Sequence, residues 1–352
     1  MKAVHQAIAA AAPGDAVTRQ ALAWRALLRS WGVPSEVVAE HVHPELEGEV
    51  VALGQGGAAL LRGGAVILRY SIWSSVVDAA VTSGSPLALV YHNVTPGNLL
   101  RADNPAVAEL CDRGRERLCD LRGRAAVLIA DSTFNAAEVR EAGLGEAVVV
   151  PLLLDLPSRP AEPPTGPPVV LSVGRLAPSK RLEEVIAAFA VYRAGFARDA
   201  ELILLGPADG FEEYAAGLDR LAQGVAPGAV RLTGLVSDEQ RDAWYASAHA
   251  YICLSAHEGF CAPLVEALAQ GVPVVARRAG AVAETLDGAA LLFDQGDNDP
   301  ALFAEAIHEV VSSSQTREGL RALGLHRIEE LRPDRIAARV KEALAPLLAD
   351  SE

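Results

Sequence analysis

The chain of 352 residues carries 31 Lys and Arg against 45 Asp and Glu, a formal net charge of −14. Because nucleic acids and anionic lipids attract positive patches, this balance argues against nucleic acid as a partner and allows at most peripheral membrane contact. Apolar residues make up 51% of the chain and charged residues 22%, so it can bury a core, and at roughly 150 residues per domain it predicts about two domains.

The cysteine spacing predicts neither a disulfide framework nor a zinc site, because none of the four cysteines forms a CxxC pair or a Cys/His cluster. No segment reaches the ~18 apolar residues that a membrane span needs. We therefore expect a reduced, cytoplasmic protein.

In the first half, a helical pattern over Asp15–Trp31 ends at Gly32, a common stop signal. Short apolar runs then predict strands at Ala65–Arg69, Leu87–Tyr91, Ala126–Ala130 and Ala147–Pro151.

The segment 156–168 contains six prolines, which favour neither helix nor central strand. It predicts a linker between a first domain over residues 1–160 and a second over residues 165–330. A terminal helix over 334–352 is expected to pack back onto the first domain.

The second half repeats the alternation of short apolar runs and helical patterns. Its predicted strands are Val169–Val173, Glu201–Leu205, Val230–Thr233, Tyr251–Leu254 and Val272–Ala276. Its predicted helices are Leu182–Ala194, Asp238–Ala248, Pro263–Gln270 and Leu302–Ser312.

Alternating strands and helices in both halves predict an α/β fold of two Rossmann-like domains facing each other across a cleft. Ligands of open α/β sheets bind beyond the carboxyl ends of the strands. Glycine or polar residues follow most predicted strands at that end, among them Ser71, His92, Asn93, Gly174, Gly206 and Gly234.

Two carboxylates eight positions apart, Glu258 and Glu266, bracket a predicted strand-to-helix turn. Pro263 suits the first helical turn, so Glu266 would lie about one turn into a helix whose free N–H groups can bind a phosphate. A carboxylate there could accept two hydrogen bonds from a ribose diol. The alternative is a solvent-exposed Glu266 and a Glu258 that simply caps the helix.

A second strand–turn–helix segment, SVGRLAPSKR over residues 172–181, places Arg175 and Lys180 beside a glycine-bearing turn. Both cations could hold a diphosphate, and the segment matches neither the P-loop nor the dinucleotide-binding pattern. The alternative is a solvated basic helix start.

These motifs resemble the donor domain of retaining nucleotide-sugar glycosyltransferases of family four, or group 1. The resemblance rests on GR…K in 174–180, GLVSDEQ in 234–240 and EGFCAPLVEALAQGVPVVA in 258–276. In the first half, GDAV, YHNVTPGN and ADSTFNAAEV are similar to the acceptor domain of a bacterial branch of that family. The resemblance implies the two-domain GT-B architecture.

The resemblance also implies roles for individual residues. Arg175 and Lys180 would hold the diphosphate, Glu266 the ribose, and Glu258 with the amides of Gly259 and Phe260 the donor sugar. The implied donor site further includes Gly14, Gly174, Leu235, Val236 and Cys261; His92 would face the sugar and phosphate, and Asp15, Ser71 and Asn93 would lie on the acceptor side.

The resemblance therefore implies a retaining transfer of a hexosyl-type sugar from a nucleotide diphosphate sugar to a carbohydrate or lipid-linked acceptor. A GT-B phosphorylase or epimerase and an inactive nucleotide-binding scaffold remain the alternatives. His92 could equally be a core histidine.

The triplet Asp297-Asn298-Asp299 spells the D-x-D pattern of metal-dependent glycosyltransferases. It precedes Pro300 and a helical pattern, so an ordinary helix cap is expected instead. We accordingly expect no cofactor and no metal.

Overall fold

The computed structural model describes residues 2–348, which divide into two compact units. The first contains residues 2–96, 109–155 and 331–348, and the second contains residues 97–108 and 156–330. The proline-rich segment 156–168 carries neither helix nor strand, as expected for a stretch with so few backbone N–H donors.

The first unit is built on a seven-stranded, all-parallel sheet with the order β3-β2-β1-β4-β5-β6-β7. The strands are β1 Val4–Ala11, β2 Val37–Val42, β3 Val51–Ala52, β4 Ala65–Tyr70, β5 Leu87–Tyr91, β6 Val127–Ala130 and β7 Val148–Val149. Its helices are α1 Ala16–Ser30, α2 Ala58–Arg62, α3 Ser75–Thr82, α4 Pro105–Arg117 (whose first residues, 105–108, group with the second unit) and α5 Thr133–Glu141.

The second unit has a six-stranded parallel sheet with the order β10-β9-β8-β11-β12-β13. The strands are β8 Val169–Val173, β9 Glu201–Leu205, β10 Val230–Leu232, β11 Ala250–Cys253, β12 Val274–Arg277 and β13 Ala290–Phe293. Its helices are α6 Leu182–Gly195, α7 Glu212–Val225, α8 Asp238–Ser247, α9 Ala262–Gln270, α10 Val282–Leu286, α11 Pro300–Ser312 and α12 Ser314–Glu330.

The apolar runs of the second unit form strands because both faces of its sheet are covered. Alternate side chains of one strand enter two separate apolar clusters: Leu202 and Leu204 of β9 enter one, and Ile203 the other. A strand buried on both sides reads as continuous apolar sequence, which is typical of parallel sheets.

The chain ends on two helices that group with the first unit, α13 Pro333–Ala343 and α14 Ala345–Leu348. Ile336 and Val340 are fully buried, and Lys341 Nζ lies 5.4 Å from the ring centre of Trp31 at the end of α1. The single helix expected over 334–352 is divided at Leu344, and its residues 349–352 lie outside the described part of the chain.

Two histidines, the buried His5 and the half-buried His249, predict a loss of stability in mild acid. His5 Nδ1 accepts the backbone N–H of Glu36, and His249 Nδ1 accepts that of Val169. Burial lowers the pKa of both imidazoles below their usual 6.5; Glu36 partly opposes this at His5, and Arg317 adds to it at His249. The unfolded state therefore binds more protons as the pH falls below 6.5.

We expect the free energy of unfolding to fall between about pH 7.5 and about pH 5.5 in denaturant titrations. The double variant His5→Gln, His249→Gln keeps an acceptor without the titration, so its profile should be flatter. An equal slope in both proteins would contradict this assignment.

Candidate functional site

The two motifs singled out in the second half come together where the order of its sheet reverses. β8 and β11 are hydrogen-bonded neighbours, with Leu171 opposite Tyr251, although three α-helices and two strands separate them along the chain. From β8 the chain continues to β9, which lies on one side of β8, whereas β11 lies on its other side. Such a reversal of strand order leaves a crevice at the carboxyl ends of β8 and β11. The loop carrying Arg175 and Lys180 and the loop carrying Glu258 follow these two strands.

Lys180 and Glu258 form a direct ion pair in this crevice. Lys180 Nζ donates to Glu258 Oε1 at 2.6 Å, and the same oxygen accepts the Ser255 hydroxyl at 2.7 Å. The Glu258 side chain is 8% exposed and that of Lys180 25%. Burial alone would lower the pKa of Lys180, but the Glu258 carboxylate together with Cys261 and Cys253 more than offsets it and raises this pKa. Lys180 is therefore a fixed positive charge.

The backbone around Lys180 is set by a short 3₁₀ helix, Pro178–Lys180, after which Arg181 adopts a left-handed conformation and α6 begins at Leu182. The carbonyl of Ser179 accepts the N–H of Ala256, so the two loops are also joined through their backbones. Lys180 thus precedes the helix, and the alternative of a solvated basic helix start does not fit it.

Arg175 has a different environment from Lys180. It is exposed, and its guanidinium lies 5.4 Å from the ring centre of Phe211. A guanidinium over an aromatic face keeps its outward-facing N–H donors available for a ligand.

Glycines allow backbone segments to approach closely around this crevice. A Cβ at Gly206, which has φ +145°, would lie 2.1 Å from the carbonyl oxygen of Gly174, and the Gly206 N–H donates to Gly234 at 3.2 Å. A Cβ at Gly280 would lie 2.2 Å from the Glu258 carbonyl, which accepts the Ala281 N–H at 2.9 Å. Neither position has room for a side chain, so the loops are packed backbone to backbone.

Glu266 lies in α9, about one turn after its start, as the sequence predicts. It is 7% exposed, and its Oε2 accepts the Tyr245 hydroxyl at 3.0 Å and lies 4.0 Å from Arg241 Nε. The alternative of a solvent-exposed Glu266 is therefore wrong. Burial raises the pKa of Tyr245 well above its usual value, so this phenol remains a neutral donor.

Tyr245 and Arg241 were not among the predicted site residues. They lie four positions apart on α8, which puts both side chains on one face of that helix. The i, i+4 spacing is visible in the sequence, but nothing in the sequence indicates that this face meets Glu266.

Further predicted donor-site residues of the second unit lie after β10 and directly before α9. Leu235 is 51% exposed, and Val236 packs against an apolar cluster. Phe260 is buried, with its carbonyl accepting the Thr285 hydroxyl at 2.6 Å, and Cys261 has a left-handed φ of +69° directly before α9. A left-handed non-glycine residue costs free energy and concentrates at functional loops.

In the first unit, His92 is held on both ring nitrogens. Its Nδ1 lies 2.7 Å from Asp131 Oδ2 and its Nε2 lies 3.0 Å from Arg69 Nη1, and its side chain is only 4% exposed. Since Asp131 accepts and Arg69 donates, the imidazole carries its proton on Nδ1. The structure thus places His92 in an internal network.

Arg69 is the member of this network that the sequence analysis missed, because it sits inside the apolar run Ala65–Tyr70. It is 1% exposed, donates to Gln6 Oε1 at 2.8 Å and lies 4.4 Å from the ring centre of Trp24. Burial lowers the pKa of Arg69 to about 9, partly opposed by the Asp131 carboxylate.

The other predicted residues of the first unit have local structural roles. Asn93, with φ +73°, donates to Asn135 Oδ1 at 2.9 Å and to Glu138 Oε2 at 2.7 Å. Asp15 caps α1 by accepting the Thr18 N–H at 2.7 Å, Gly14 before it has φ +75°, and Ser71 directly follows β4.

The D-x-D triplet is a helix start, as expected. Asp299 caps α11 by accepting the Ala301 N–H at 2.9 Å, with Pro300 in the first turn. Asp297 accepts the N–H of Asp294 at 2.8 Å.

Comparison with known families identifies the second unit. The family described as glycosyl transferases group 1 matches residues 158–324. These residues belong to the group 1 glycosyltransferases. The match covers the crevice with its Lys180–Glu258 pair and also Glu266.

Two curated glycosyltransferases are similar over part of the chain. A GDP-mannose-dependent alpha-mannosyltransferase of Mycolicibacterium smegmatis is 39% identical over 118 residues, and the O-antigen chain mannosyltransferase B of Escherichia coli is 30% identical over 155 residues. The alignments cover 33% and 44% of this chain, and only 27% and 40% of the length of those relatives.

Solved structures match the whole chain. The Anabaena protein HepE in complex with UDP-glucose superposes with a TM-score of 0.80 at 17% identity, covering 99% of this chain and 100% of that one. A sucrose-phosphate synthase from Thermosynechococcus elongatus has a TM-score of 0.78 at 18% identity and covers both chains fully. The predicted α/β GT-B fold is thus confirmed.

None of the helices within residues 2–348 has both the length and the apolar composition of a membrane span.

Proposed function

We propose that this protein transfers a hexosyl-type sugar from a nucleotide diphosphate sugar to a hydroxyl of a carbohydrate or lipid-linked acceptor. The observation that carries the proposal is the Lys180–Glu258 ion pair, whose carboxylate is buried, at the switch point of a group 1 glycosyltransferase domain. In this crevice the fixed cation can bind a diphosphate, and the carboxylate can accept hydrogen bonds from the hydroxyls of a sugar.

In this reaction the diphosphate leaves as an anion while positive charge develops at the anomeric carbon. Preorganised cations near the leaving oxygens stabilise that transition state most effectively. We assign this role to Arg175 and Lys180, assign ribose binding to Glu266, and assign the donor sugar to Glu258 with the Gly259 and Phe260 amides. The departing phosphate accepts the acceptor proton from the same face, so the mechanism uses no protein nucleophile and retains the anomeric configuration.

The names of the similar proteins suggest the order in which donors should be tested. The relatives aligned with 39% and 30% identity are named as mannosyltransferases, one of them GDP-mannose-dependent, whereas the superposed HepE structure contains UDP-glucose. Because sequence identity is much higher for the former, GDP-mannose is the first candidate donor. We propose a cytoplasmic site for the reaction.

The test is release of free nucleoside diphosphate from GDP-, UDP-, ADP- and TDP-sugars, with and without extracted glycan and lipid acceptors. Release that depends on the acceptor and yields a glycosylated product supports transfer. Tight donor binding without turnover would support an inactive scaffold, and acceptor-independent conversion of the donor would support an epimerase or phosphorylase.

His92→Ala should lower kcat by about tenfold or more, the equivalent of one charged hydrogen bond, while leaving nucleotide affinity unchanged. The reason is the role that the family resemblance assigns to His92, contact with the donor sugar and phosphate, and its ring is held by Asp131 and Arg69. Steady-state kinetics and calorimetry measure the two effects separately.

The exposed His41 offers a control, since its side chain is 81% exposed and His41→Ala should change neither quantity. A His92→Ala protein with normal specific activity but a lower Tm would identify His92 as a core histidine.

We further propose that the transfer needs no metal, because Arg175 and Lys180 supply the positive charge that a cation would otherwise provide. Excess EDTA should leave the rate unchanged or higher, and Asp297→Ala and Asp299→Ala should lower Tm more than kcat, since both carboxylates cap local backbone N–H groups. Activity that is lost in EDTA and restored by Mg²⁺ or Mn²⁺ would contradict the proposal.

A further inference from the structure

Two thiols lie close to the carboxylate of the Lys180–Glu258 pair. The Sγ atoms of Cys253 and Cys261 and a carboxylate oxygen of Glu258 all lie within 4.8 Å of one another, and all three residues are buried. We call these three residues the thiol cluster. Cys253 comes from the end of β11 and Cys261 from the start of α9, so the loop between them is the one that carries Glu258.

The thiol cluster borders a small cavity. Its volume is about 10 Å³, and its lining includes all three residues of the cluster together with Lys180 and Ser255. Such a volume accommodates roughly one water-sized body. A space of that size admits a single ion.

The ligand atoms determine which kind of ion can bind. Thiolates are soft ligands that prefer Zn²⁺ and related thiophilic cations over Mg²⁺ or Ca²⁺. Tetrahedral coordination at usual Zn–S and Zn–O lengths would place the ligand atoms about 3.6–3.8 Å apart. Contacts within 4.8 Å therefore need to contract by only about 1 Å, which rotation of two cysteine side chains can supply.

The charges explain how such an ion would act. The Lys180 ammonium already neutralises Glu258, at 2.6 Å from its Oε1. A cation that takes Glu258 as a ligand competes with this ammonium for the carboxylate and repels it, while the two thiols lose their protons to solvent.

We propose that the thiol cluster binds one thiophilic divalent cation of the Zn²⁺/Cd²⁺ class, and that this cation separates Lys180 from Glu258 and thereby blocks donor binding. The inhibitory consequence rests on the function proposed above, whereas the binding itself does not. The site is thus an inhibitory one, compatible with a metal-independent reaction.

The binding test is a titration of the reduced, metal-free full-length protein with Cd²⁺, followed by thiolate-to-cadmium charge-transfer absorption in the ultraviolet. We expect one equivalent per chain. Cys253→Ser should weaken Cd²⁺ binding by at least about 100-fold, since even outer-shell changes cost 10–100-fold. Cys261→Gly should do the same, and its φ of +69° suits glycine, so this variant does not lose stability through its backbone.

Cys119→Ser is the matched control, because Cys119 is a free cysteine outside the cluster and its loss should leave the absorption unchanged. Lys180→Met removes the competing ammonium and should tighten Cd²⁺ binding by about tenfold or more, because it leaves a buried carboxylate without a countercharge. No absorption in the wild-type protein, wild-type absorption in either cluster variant, or unchanged affinity in Lys180→Met would overturn the site.

Inhibition is tested by adding Zn²⁺ to the transfer assay at increasing donor concentrations. We expect competitive inhibition in the wild-type protein and at least about tenfold weaker inhibition in Cys253→Ser. Non-competitive inhibition, or equal inhibition of both proteins, would overturn the blocking step. If no donor in the panel is turned over, the proposed function fails while the Cd²⁺ titration still decides the cation site.

Discussion

Replacing Lys180 with alanine should lower kcat by about 10²–10³-fold, the usual effect of removing one preorganised group that stabilises transition-state charge. Lys180 is a permanent cation because Glu258 raises its pKa, and it is fixed in place by the 2.6 Å bond to Glu258 Oε1. Its loss removes the positive charge next to the leaving diphosphate and takes one partner from Glu258 Oε1, which keeps the Ser255 hydroxyl. Binding of the free nucleoside should change much less, since it carries no diphosphate.

Two further variants make this result specific. Arg175→Ala should act in the same direction with a smaller effect, because Arg175 is exposed and its field is screened by water. Lys341→Ala removes a lysine from α13, where it lies over Trp31, and should leave kcat unchanged. Wild-type kcat in both Lys180→Ala and Arg175→Ala would exclude the proposed diphosphate contact.

Glu266→Ala should weaken nucleotide-sugar binding by about ten- to a hundred-fold in calorimetry, the cost of about 1.5–3 kcal/mol for a lost hydrogen bond to a charged group. The fold should survive, because the partners of Glu266 keep other contacts. Tyr245 retains the Pro263 carbonyl at 3.2 Å, and Arg241 retains Asp238 and Asp242. The variant should therefore lose affinity for the nucleotide sugar rather than stability.

Tyr245→Phe should also weaken donor binding, but by a smaller factor, because it removes only the hydroxyl that orients Glu266. Glu305→Ala changes an exposed carboxylate on α11 and should have no effect on affinity. An unchanged affinity in a folded Glu266→Ala protein would refute the assignment of Glu266 to the ribose.

The sequence analysis located most central strands well because both of their faces are buried. Leu87–Tyr91, Val169–Val173 and Glu201–Leu205 begin and end where predicted. It did not predict Val37–Val42 or Ala290–Phe293, which contain polar or only half-buried positions and lie at or near a sheet edge. It also missed the central strand Val4–Ala11, where the buried polar residues His5 and Gln6 interrupt the apolar run. It also missed the helix Ser314–Glu330, whose apolar residues form only a weak stripe.

The amino-acid sequence by itself determined which loops could bind a ligand. Strand periodicity and the glycine and proline positions placed Arg175, Lys180 and Glu258 beyond strand ends and Glu266 within the first turns of a helix, since these signals act between residues close together in the chain. The helix cap at Asp299 was predicted for the same reason.

Only the tertiary structure decided which of these side chains meet. Lys180 reaches Glu258 across 78 positions, Tyr245 reaches Glu266 across 21, and Arg69 reaches His92 across 23. Such pairs depend on strand order and on which helix faces pack together, and these follow from the burial of the whole apolar surface. The residue types and positions of the loops can therefore be predicted from the local sequence, whereas the partner of each charged group depends on the fold as a whole.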